Sequence, residues 1–175
     1  MSQAEIAGGK VSPKGEIPRT GYRLRDFVLK STTGPEIRVS DYRGRSNLIL
    51  IFADSAEPLA PTRDLAAQYS RIREEQTEVL LIVPAARLGD PEASIQLPFP
   101  LLVDRNRQVH AEYGRKGCND PVSGIFIADR FGELAAAFIG SEIANATPAS
   151  ILKWLEFING QCPECEPPEW PLEDS

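Results

Sequence analysis

At 175 residues the chain is sized for one domain with short tails, and with 42% apolar residues it can fill a single core. It has no apolar run of about eighteen residues, which excludes a membrane-spanning helix. Its net charge of −6 argues against nucleic acid, whose binders favour a basic face. Residues 1–18 carry Gly8, Gly9, Pro13 and Gly15 without the apolar stretch of a signal peptide, so they predict a flexible lead-in to a cytoplasmic protein. Three cysteines, an odd number, do not make a disulfide framework. In a reducing compartment they are free thiols, metal ligands or redox groups.

The first apolar run, Asp26 to Lys30, ends in the turn Thr32-Thr33-Gly34-Pro35, and Ile37-Arg38-Val39 then alternates. The pair reads as a hairpin. Asn47 to Phe52 is a continuous apolar run, the pattern of a strand covered on both faces. Between Pro61 and Glu75, Leu65, Tyr69 and Ile72 fall at helical spacing opposite charged residues, and a second buried strand follows at 79–83. The resulting β-α-β crossover should be right-handed. Prolines break the stretch from Leu88 to Pro100. Leu101 to Val103 then predicts a short strand, and Arg107 to Tyr113 a short helix ended by Gly114. Residues 125–128 and 134–139 predict a second hairpin around Asp129-Arg130-Phe131-Gly132. A last helix starts with Thr147 as N-cap and Pro148 in its first turn, buries Ile151, Leu152, Leu155 and Ile158, and stops at Gly160. A β-α-β half followed by a β-β-α half is the thioredoxin layout. The expected fold is therefore α/β and thioredoxin-like, a central mixed sheet flanked by helices, with an extra N-terminal hairpin. The domain spans 19–160, and 161–175 form a tail rich in Cys, Pro and Glu.

Several stretches resemble peroxiredoxins of the alkyl hydroperoxide reductase and thiol-specific antioxidant family. They are Asp26-Phe27-Val28-Leu29 with Gly34, Val39 to Gly44, the strand 48–52, Leu97 to Asp104, Tyr113-Gly114, and Phe126 to Gly132. The likeness covers roughly 19–158 and implies an antioxidant or thiol-disulfide oxidoreductase. In that family the strand ending at Phe52 leads into a loop with a proline, a Thr or Ser, and the attacking cysteine in the next helix's first turn. Here the stretch holds Ser55, Glu57, Pro58, Ala60, Pro61 and Thr62, with no cysteine. The family's arginine before the strand at 125 also falls near Ser123. Peroxide reduction needs a thiolate that becomes a sulfenic acid, and a hydroxyl has no comparable redox state. The resemblance therefore implies a peroxiredoxin-like (redoxin) chain without the usual peroxidatic cysteine.

Redox chemistry would then fall to Cys118, Cys162 and Cys165. Cys162-Pro163-Glu164-Cys165 has the CxxC spacing of a dithiol or of half a zinc site, but it stands in an acidic, proline-rich tail, so an inert tail is a third reading. Cys118 stands near Arg115 and Lys116, in the loop that the thioredoxin layout places opposite the 57–60 turn. The bland reading for it is a loop cysteine with no role. His110, the single histidine, reads as a surface or packed residue, and Glu57 as an exposed residue favoured by a helix N-terminus. Apart from zinc at the CxxC pair no cofactor is implied. Candidate partners are a small thiol, a redox protein or a second copy of the chain; nucleic acid and membrane are not expected. The competing class is a non-catalytic binding module that kept the fold and lost the chemistry.

Overall fold

The computed structural model describes residues 10–13, 15–54, 60–88, 96–114 and 123–161. Seven strands form one sheet: β1 (Val28–Ser31), β2 (Glu36–Arg38), β3 (Asn47–Phe52), β4 (Thr77–Pro84), β5 (Leu101–Asp104), β6 (Gly124–Ala128) and β7 (Leu134–Ile139). Their order across the sheet is β2-β1-β5-β4-β3-β6-β7. The central β3-β4-β5 trio is parallel, whereas β1, β6 and β7 join antiparallel. The N-terminal hairpin thus extends the sheet beyond β5, and the mixed α/β arrangement expected from the element order is what the chain adopts.

Side chains alternate across a strand, so successive residues of the central strands serve two cores. Ile49, Ile51, Val79, Leu81 and Val83 face one layer, built from Leu65, Ile72, Ile151, Leu155 and Ile158 on the helices. Leu48, Leu50, Phe52, Leu80 and Ile82 face the other, with Val109 and Tyr113. Burial on both faces is why β3 and β4 read as unbroken apolar runs. Helices α1 (Ala60–Ala67), α2 (Tyr69–Glu74) and α4 (Pro148–Gly160) cover the first face, and α3 (Gln108–Tyr113) the second.

Three details differ from the sequence reading. The helix expected over 61–75 is two helices that break at Gln68, whose ψ of 10° leaves the helical range. Gly140–Asn145 forms a 3-10 turn that carries no helical apolar period long enough to read. In α4, Ile151, Leu155 and Ile158 are buried and the helix ends at Gly160 as expected, but Leu152 is only half-buried. Within the expected lead-in, Ser12 N–H donates to Arg23 O and Arg23 N–H to Lys10 O, and Ser12 and Pro18 are buried.

Candidate functional site

The candidate site lies where β3 ends and α1 begins. Ala53 N–H still donates to Ile82 O, which holds the chain in the sheet one residue past Phe52. Its carbonyl then meets His110 Nε2 at 3.3 Å. From the other side, Asp104 Oδ2 stands 2.8 Å from His110 Nδ1 and accepts from His110 N–H at 2.9 Å. Both residues are only 2% exposed. Asp104 ends β5, so its carboxylate caps the first turn of α3 and fixes the imidazole in one step. Burial pushes the Asp104 carboxyl up, but the ring and amide bonds from His110 outweigh it and hold it below the ordinary range. Both ring nitrogens thus face oxygen atoms, Asp104 Oδ2 and Ala53 O.

Around this pair stand Phe52, edge-on to His110 and stacked on Tyr113. On the solvent side Arg107 Nη2 lies 3.5 Å from Asp54 Oδ1. Arg107 itself adopts φ +52°, a left-handed conformation that a non-glycine residue rarely holds. It precedes α3 in a tight turn closed by Arg107 N–H to Asp104 O. The surrounding bonds therefore hold a backbone conformation that would otherwise relax.

Of the residues singled out from sequence, Ala60 opens α1, and Thr62 lies in its first turn with its side chain wholly buried. The Thr62 hydroxyl has no hydrogen-bond partner among the described residues. Pro61 is half-buried between them, and Ser123 precedes β6 and accepts from Gly140 N–H. Ser55, Glu57, Pro58, Cys118, Cys162 and Cys165 lie outside the described residues. Among the described residues no group of three or more His, Cys, Asp or Glu is placed to hold a metal ion. No helix there is long and apolar enough to cross a membrane.

His110 is packed, one of the two sequence expectations for it. Its partnership with Asp104 was missed because six residues and a turn separate them. The available signal was an acid closing a strand just before a helix, a position that favours an N-terminal cap.

A mixed sheet with a parallel centre, helices on both faces, and a strand end meeting a helix start define an α/β protein of the thioredoxin-like class. Within that class the chain belongs to the AhpC/TSA family, whose profile matches residues 20–137. It is 28% identical over 128 residues to a thiol-disulfide oxidoreductase, ResA, of Geobacillus kaustophilus, covering 69% of this chain and 70% of that one. It is 23% identical over 177 residues to a peroxiredoxin of Ignicoccus hospitalis, covering 91% and 75%. Peroxidoxin BcpB of Mycobacterium tuberculosis has a similar structure, with a TM-score of 0.60 and 20% identity over 80% of this chain and 97% of that one. So does a reduced 2-Cys peroxiredoxin of Plasmodium vivax, with a TM-score of 0.63 and 15% identity over 79% and 95%.

Proposed function

We propose that this chain is a redoxin that exchanges thiols with disulfides and does so without a cysteine at the family's attacking position. Cys118 is the attacking thiol, and Cys162 or Cys165 resolves it. One observation carries the reading: Gly124 pairs with Phe52, so the segment holding Cys118 rejoins the sheet beside the strand end that leads to α1. Cys118 is six residues before Gly124 in sequence, a reach of at most about 20 Å. In the exchange, the Cys118 thiolate attacks one sulfur of a partner disulfide, and the other sulfur leaves as a thiolate. Cys162 or Cys165 then attacks the Cys118 sulfur, forms a disulfide with it and releases the partner's second sulfur as a thiol. Two electrons pass from the chain to its partner. The partner is a small or protein disulfide, and the compartment is a reducing one.

The test uses the full, reduced chain with oxidised glutathione, scored by mass spectrometry. The expected result is a mixed disulfide on Cys118 that accumulates in the double variant Cys162→Ser, Cys165→Ser and is absent in Cys118→Ser. Exchange by Cys118→Ser at the intact rate would refute the assignment. Zinc measured on the same sample decides whether the CxxC pair is instead a metal half-site. The second reading, a binding module, is favoured by the absence of any cysteine from 53–65. It gains if all three thiols react no faster than free cysteine.

A further inference from the structure

β1 and β5 pair only at Lys30–Val103 and Ser31–Leu102. Beside this short pairing lies a groove of about 900 Å³, lined mainly by residues 23–30 and 103–112. Arg25 lines this groove, is only 7% exposed, and has Nε, Nη1 and Nη2 all buried without a hydrogen-bond partner. Its guanidinium carbon stands 5.4 Å from the centre of the Tyr113 ring, so it rests on an aromatic face. A guanidinium carries five N–H donors and no acceptor, and burying it without acceptors is costly. Burial accordingly pulls its pKa down, while the field of Glu112 pushes back.

The rest of the wall suits an anion. Arg23, Lys30, Arg43 and Arg105 line the same groove with Arg25, against the carboxylates Asp26, Glu36, Asp104 and Glu112. Two of the wall's carboxylates are already engaged, Asp26 by Ser40 and Arg38, and Asp104 by His110. We propose that the groove between β1 and β5 is a binding site for a small oxyanion, a phosphate or carboxylate group held on Arg25 with Arg105 at its rim. The planar fork of Arg25 suits two oxygens at once. Its nitrogens are closed to solvent in this conformation, so the ligand enters by moving a wall side chain. The groove shares Asp104 with the site at the end of β3 but depends on no cysteine.

The experiment follows thermal unfolding and ¹H–¹⁵N spectra of the full chain with inorganic phosphate or acetate, against chloride at matched ionic strength. At about ten times its Kd the bound anion raises Tm by about 3–5 °C in a chain of this size. Amide shifts concentrate at 24–30 and 103–112. A shift with phosphate alone identifies a phosphate group, and one with acetate alone a carboxylate. The Tm rise disappears in Arg25→Leu and is reduced in Arg105→Gln, whose exposed position keeps the fold intact. If Arg25→Leu does not fold, the amide shifts in the intact protein decide. Tm values equal to the chloride control for both anions, or amide shifts scattered over the surface, overturn the proposal.

Discussion

Asp104 Oδ2 bonds to both the ring and the amide of His110, 2.8 and 2.9 Å away, and so joins the end of β5 to the start of α3. Because the ring's other nitrogen meets Ala53 O, this one pair also fixes the end of β3. The position of the candidate site thus depends on a polar contact inside an otherwise apolar face.

The Asp104 carboxyl is held below the ordinary aspartate range, so the folded state binds its proton less tightly than the unfolded chain does. Its contribution to stability is present above the unfolded value, about pH 3.9, and is lost as pH falls through the lower folded value. Asp104→Asn is expected to destabilise the chain by about 3 kcal/mol near neutral pH, the cost of breaking a buried pair. It should also flatten the acid limb below about pH 4. Urea unfolding measured from pH 3 to 7 checks both, and parallel curves for the two proteins would remove the linkage.

Tyr113 is the alkaline counterpart. Burial pushes its phenol far above the ordinary range, and its hydroxyl donates to Arg25 O at 2.8 Å. A raised folded pKa means stability that is full below about pH 10 and declines as pH rises through the folded value. Tyr113→Phe is expected to cost about 1–2 kcal/mol at pH 7, since it leaves the Arg25 carbonyl unpaired. It should also weaken the loss of stability above about pH 10. Unfolding curves at pH 8, 10 and 11 measure this; an unchanged alkaline slope would show that another group sets it.

Most of the fold was legible because its strands carry their own signal. Residues 48–52 and 79–83 are apolar without a break, and a strand buried on both faces has that pattern. The N-cap of α4 was legible too: Thr147 Oγ1 accepts from Ser150 N–H, as the Thr-Pro start predicts. The break at Gln68 was hidden, since the apolar spacing of Leu65, Tyr69 and Ile72 continues across it. Of the site, the strand end and helix start were legible and the polar chemistry was not. His110–Asp104 and the unpartnered Arg25 depend on which side chains the fold brings together, and periodicity carries no information about that.

Thr62 offers a direct test of the α1 start. Its wholly buried hydroxyl has no partner among the described residues, which costs stability relative to an apolar group of the same shape. Thr62→Val is expected to stabilise the chain by about 1 kcal/mol, raising Tm by about 2–4 °C. If thiol exchange is measured on the same variant, a rate decrease despite the higher Tm would place the hydroxyl in the chemistry. A loss of stability would instead show that the hydroxyl is satisfied in solution.

The last prediction concerns peroxide. A fast peroxidase needs a thiolate at the helix start, where the N-terminal end of the helix and nearby positive charge lower its pKa, so that it can attack the O–O bond and leave as a sulfenic acid. In this chain α1 opens with Ala60-Pro61-Thr62, and every cysteine lies at or beyond position 118. The Thr62 hydroxyl in that first turn stays protonated near neutral pH and holds no comparable oxidised state. Any peroxide consumption must therefore come from Cys118, Cys162 or Cys165, none of which opens α1. The expected rate with hydrogen peroxide, thioredoxin and its reductase is close to that of an ordinary thiol, and it should fall to the uncatalysed background in the triple serine variant. Stopped-flow oxidation of the reduced chain measures this directly. A rate orders of magnitude above that of free cysteine, lost on Cys118→Ser alone, would show that the peroxidase chemistry moved to Cys118 and did not disappear. If the same fast rate survives in Cys118→Ser, the attacking thiol is one of the CxxC pair, and the tail reaches the body to deliver it.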